Sequence, residues 1–146
     1  DLGTMMCKSL PAFHALTGCD YTSAFYRIGK LKPFNILKKD EELQKMLSAF
    51  GEDPIVKEEE FLKIQQFVCR MYSRKEISTL NELRLHLFMD VYNKTSHTDP
   101  LRAPKGIDSM SLPPCEKALR THILRSKYVT AIWTNLNLAN PPQNKP

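Results

Sequence analysis

No stretch of the sequence approaches the roughly 18 consecutive apolar residues that a membrane span requires. No charged-then-apolar leader opens it either, so a soluble, unsecreted, intracellular protein is expected. Cysteine is sparse: Cys7, Cys19, Cys69 and Cys115 show no C-x-x-C spacing. That argues against a zinc cluster and a disulfide framework and leaves free, buried thiols. A Walker phosphate loop, a nicotinamide fingerprint and any Ser/His/Asp or Cys/His constellation are also missing. No segment makes a defensible strand, and neither an internal repeat nor a run of heptads is present. What is there suits one ordinary domain: 146 residues, 42% apolar and 25% charged. The formal net charge of +5 favours nucleic acid or another anionic surface, although basic domains that bind no polyanion are also common. The chain opens on Asp1 with apolar patterning from Leu2, as expected of a piece of a longer protein.

Helical periodicity carries most of the chain. Ser9 as a cap, Pro11 in the first turn and Gly18 as a stop predict a short, largely buried helix. A loop from Cys19 to Lys32 follows, with a single turn at Ser23 to Tyr26 and Gly29 as the residue permitting a tight backbone. Helices are then expected from Pro33, from Asp40 to Phe50 and from Val56 to Ser73. The last carries Phe61, Ile64, Val68 and Met71 on one face. A further helix starts at Ser78 or Thr79 and fades near Asn93, and a long one runs from Pro114 to Leu138. The expected organisation is a helical domain at 1–93 with a helix-loop-helix at 9–50, then a connector at 94–113. A terminal helix at 114–139 packs on the same domain, and a disordered tail fills 140–146.

The chemically informative string runs from Leu16 to Lys30: Leu-Thr-Gly-Cys-Asp-Tyr-Thr-Ser-Ala-Phe-Tyr-Arg-Ile-Gly-Lys. A carboxylate just past a helix end, here Asp20, can join an oxygen-ligand set for a hard cation. A glycine such as Gly29 lets main-chain amides approach a phosphate, and Lys30 and Lys32 add sequence-independent attraction. Asp20 could equally cap the turn at Thr22 or Ser23.

This string resembles the Gly-Cys/Ser-Asp-Tyr … Gly-Ile-Gly-Lys/Pro string of the flap-endonuclease family, structure-specific nucleases of PIN-like fold with a helix-two-turn-helix module. The resemblance implies that Asp20 helps bind a catalytic Mg2+ in the full-length protein and that Gly29 and Lys30 belong to a DNA phosphate-binding turn. Arg27 stands where the family has the first glycine, which counts against the family's K+ in that turn; Arg27 itself can contact phosphate. The family's other carboxylates lie mostly N-terminal to this string, so the chain alone is not expected to cut. Over nearly its whole length the sequence also resembles a group of multi-copy animal proteins of unsettled biochemistry. That likeness includes Leu112-Pro113-Pro114, Ala118-Leu119, His122-Ile123, Arg125, Tyr128 and Trp133.

Other residues read more plainly. His14 sits in an apolar helix, as a core histidine does. His86 and His97 lack metal-ligand spacing. Arg120, His122, Arg125 and Lys127 make part of the last helix basic, either to follow phosphates or as a solvated face. Trp133 is expected in the core or as an interface anchor. The resulting expectation is an all-α, irregular bundle, the carboxy-terminal part of a PIN-like protein. It would bind nucleic acid, DNA above all, without sequence preference through Arg27, Gly29, Lys30, Lys32, Lys38 and Lys39, which adds the nucleus as a location. The competing expectation is a catalytically inactive helical module for protein binding.

Overall fold

The computed structural model describes residues 2–92 and 108–135. Among them there are six α-helices: α1 (Thr4–Leu16), α2 (Leu31–Lys38), α3 (Glu41–Ser48), α4 (Glu58–Tyr72), α5 (Leu80–Tyr92) and α6 (Glu116–Thr134), with a 3-10 turn at Ser109–Ser111. No strand forms among these residues; the only β pairing is an isolated bridge between Cys19 and Thr22. The fold is therefore an irregular all-α bundle. The expected connector falls mostly outside the described residues, and the tail falls wholly outside them.

Helix α4 is central, touching α2, α3, α5 and α6, while α1 lies against α3 and α6. The reason is legible in α4 itself. Phe61, Ile64, Val68 and Met71 recur at helical spacing and are all buried, and Glu58, Glu59 and Glu60 occupy its positive end. Phe61, Ile64, Val68 and Met71 join Met6, Phe13, Leu16, Leu37, Leu43, Leu47, Phe50, Leu119 and Ile123 in one core. Helix α3 starts where Asp40 accepts a hydrogen bond from Leu43 N–H at 2.9 Å. The same carboxylate pairs with Arg70 at 2.6 Å and Lys63 at 3.3 Å, tying α3 to α4. Burial alone would raise the pKa of Asp40, but the bonds from Arg70, Leu43 N–H and Lys63 outweigh it and hold the carboxyl below its ordinary value.

Helix α1 departs from expectation. It begins at Thr4, so Pro11 lies in its interior, and the Ser9 hydroxyl donates back to Met6 O at 2.7 Å rather than capping. An interior proline costs about 3 kcal/mol. Burying Met6, which is 2% exposed, in the common core offsets part of that. Helix α2 likewise starts two residues before Pro33, which is tolerated because first-turn amides have no intrahelical acceptor. Between α3 and α4, Gly51 lies under α6: a Cβ there would sit 2.8 Å from Ala131 N.

Candidate nucleic-acid interface

Two turns join α1 to α2. At the first, Gly18 takes φ 106°, and a Cβ on it would lie 2.6 Å from Ala24 Cα. This crowding folds residues 19–22 into a tight turn closed by Cys19 N–H to Thr22 O at 3.0 Å. The Thr22 hydroxyl donates to Ala15 O at 2.6 Å, anchoring the turn to the end of α1. Asp20 and Tyr21 form its exposed tip, Tyr21 being 69% exposed. Asp20 makes no hydrogen bond to another described residue, so it does not cap the turn. Among the described residues no three His, Cys, Asp or Glu side chains gather to hold a metal. A hard divalent cation needs several oxygen ligands, of which Asp20 would supply one.

At the second turn Ile28 N–H bonds Phe25 O at 3.0 Å. The left-handed residue here is Arg27, with φ 57°, and it is the only non-glycine with positive φ among the described residues. Such a conformation costs an ordinary residue roughly 1–2 kcal/mol, and glycine adopts it freely. Arg27 is exposed and lays its guanidinium over the Tyr26 ring, 5.1 Å from the centroid. Gly29, expected to supply the tight backbone, has no positive φ, and a Cβ on it would meet nothing within 4 Å. Nothing among the described residues requires a glycine there.

The lysines divide into two kinds. Lys30 Nζ donates to Gly18 O at 2.6 Å, Thr17 Oγ1 at 3.2 Å and His14 Nδ1 at 2.7 Å. It therefore caps the negative end of α1. Burial lowers its pKa, against an opposing pull from Cys19. Lys32 does the same for α4, donating to Met71 O. Lys38 and Lys39, at the end of α2, are exposed and form no ion pair with a described residue. Lys30→Met is accordingly expected to lower stability by about 1–2 kcal/mol, since bonds from a charged donor are lost and carbonyls are left open. A urea midpoint unchanged from wild type would remove Lys30 from the capping role.

The basic face expected on α6 is also divided. Arg120 pairs with Glu58 at 2.8 Å and stacks on Phe61, 3.6 Å from its centroid. Lys127 is 4% exposed and pairs with Glu60 at 2.8 Å. Lys117 and Arg125 pair with no described residue and line an open cleft of about 600 Å³ with Phe25, Tyr26, Tyr72, Ala118, Thr121 and His122. His122 Nε2–H donates to Leu16 O at 2.8 Å, which leaves Nδ1 as an acceptor. Burial lowers the His122 pKa; the Leu16 bond opposes this and the Arg125 charge adds to it. Burial pushes the Tyr72 hydroxyl up to about 12, so it stays a protonated donor.

All six residues expected to meet nucleic acid, Arg27, Gly29, Lys30, Lys32, Lys38 and Lys39, are exposed, but the ammonium groups of Lys30 and Lys32 are engaged in closing helix ends. Sequence reasoning missed Tyr26, Tyr72 and Lys117. The Phe25-Tyr26-Arg27 run was a signal for the first, since aromatics beside a cation mark a stacking surface. Trp133 stacks on His14, with ring centroids 5.6 Å apart, against the exposed face of α1. No family model, curated protein or solved structure matches the chain.

Proposed function

We propose that this chain binds the backbone of nucleic acid, DNA in the first instance, without sequence preference. The observation that carries this is the gathering of Lys117 and Arg125, neither paired with a described residue, at a cleft lined by no carboxylate among the described residues, next to Tyr26 and the Arg27 stacked on it. Glu58 and Glu60, which meet α6, are engaged with Arg120 and Lys127. The likeness of the Gly18 to Lys30 string to flap endonucleases supports the same reading. Arg27 holds the left-handed backbone that a glycine would adopt freely, and Gly29 leaves open space beside it. Lys38 and Lys39 extend the attraction along α2.

The test is a titration of fluorescent branched DNA at two salt concentrations with wild type and an Arg27→Glu, Arg125→Glu variant. Lys30 and Lys32 are unsuitable targets because their replacement opens helix ends. Wild-type affinity should fall steeply with salt, and the variant should bind at least about tenfold more weakly with a salt slope smaller by about two. Gly29→Ala should leave stability unchanged or raise it by about 0.4–1 kcal/mol while weakening DNA binding. Binding indifferent to salt and to the charge reversals would discard this reading.

One observation favours the alternative of an inactive protein-binding module. Leu85, Phe88 and Met89 lie at i, i+3 and i+4 on α5 and are 62%, 37% and 39% exposed. Such a face suits an apolar partner groove, whose binding would change little with salt.

A further inference from the structure

The cleft has more to it than charge. Four ring side chains, Phe25, Tyr26, Tyr72 and His122, line it, and Phe25 packs edge to face on both Tyr72 and His122, with centroids 6.5 Å and 5.4 Å apart. Its volume of about 600 Å³ falls within the usual range for small-molecule sites. Polar groups sit among the rings without being used up. The Tyr72 hydroxyl has no hydrogen-bond partner among the described residues, and His122 Nδ1 is free because Nε2 holds Leu16 O. Lys117 and Arg125 stand at the same opening. Planar apolar walls, a hydroxyl donor and an imidazole acceptor among them, and two cations match a nucleotide, with a flat base that has polar edges and an anionic phosphate. An apolar peptide would leave the cations without a counter-charge.

Resting on the proposed backbone binding, we infer that the cleft bounded by Phe25, Tyr26, Tyr72 and His122 receives an unpaired nucleobase while Lys117 and Arg125 hold its phosphate. The chain then prefers single-stranded or unpaired nucleic acid, because a base held in a duplex is not free to enter.

Two 12-residue strands of equal charge test this: oligothymidylate and the same sugar-phosphate chain with every base removed. Both are titrated into wild type and into Ala118→Phe, which fills the cleft from an exposed position on α6 without changing charge. Wild type should bind the intact strand about tenfold more tightly than the abasic one, and Ala118→Phe should bring the two together. Equal wild-type affinity for both strands overturns the inference while leaving phosphate binding intact. A preference for the intact strand that survives in a folded Ala118→Phe also overturns it, because the base is then held elsewhere. Binding of neither strand removes the phosphate reading and this inference with it. If thermal unfolding finds Ala118→Phe misfolded, the comparison of the two strands on wild type decides.

Discussion

Gly18→Ala is expected to destabilise the protein by about 3 kcal/mol or more, enough to leave a large unfolded fraction. Two effects add. At φ 106° the alanine backbone is strained, and its Cβ would lie 2.6 Å from both Cα and Cβ of Ala24. The neighbour is main chain and cannot swing aside. The damage would not stop at the turn, because Gly18 O is one of the carbonyls that Lys30 holds at 2.6 Å. Urea unfolding followed by far-ultraviolet circular dichroism measures the loss. A midpoint within the scatter of wild type would mean that the turn relaxes without penalty and that the approach of Gly18 to Ala24 is not required.

The other large effect concerns Glu60. Lys127 lies on α6 with its side chain only 5% exposed, held by Glu60 at 2.8 Å and by Ile55 O at 2.9 Å. Glu60→Ala leaves that ammonium buried without its counter-charge, and breaking a buried pair on one side costs about 3–5 kcal/mol. Removing both charges is a different matter. Lys127→Met combined with Glu60→Leu should lie near wild type or above it, since two desolvated ions are replaced by apolar contacts. Chemical denaturation of Glu60→Leu, Lys127→Met and their combination forms the cycle. A loss below about 1 kcal/mol in Glu60→Ala would mean that Lys127 reaches water by a small shift of α6, and the buried pair would carry little weight.

The helices were largely legible because their apolar residues recur at three and four. Phe61, Ile64, Val68 and Met71 fix the buried face of α4, and the Asp40 cap marks the start of α3 as expected. The start of α1 was misread at Ser9 because local signals, a serine followed by a proline, favour a helix end, whereas the helix continues back to Thr4 and Met6 enters the shared core. Tertiary burial prevails there over local propensity. The candidate site was legible in place but not in role. Lys30 and Lys32 stand in a loop rich in polar residues, and only the folded chain brings the carbonyls of Gly18 and Met71 to their ammonium groups. Gly29 invited a reading that belongs to Arg27, because a residue name carries no φ; the left-handed backbone lies two positions earlier, on an arginine. The cleft was not legible at all. It takes Phe25 from a loop, Tyr72 from the end of α4 and His122 from α6, three segments with no periodic relation.

The contact between α1 and α6 joins the two ends of the described chain. His122 donates to Leu16 O, and Ser126 donates to Ala15 O at 3.3 Å, across separations of 106 and 111 residues. On the ribosome, α1 emerges well before α6, whose side chains meet its last carbonyls. Its apolar face waits through the synthesis of everything between, at risk of capture by chaperones or by other nascent chains. Completion of this bundle therefore waits for α6, and the cleft of Phe25, Tyr72 and His122, which needs α6 for one wall, forms only once that helix has been made.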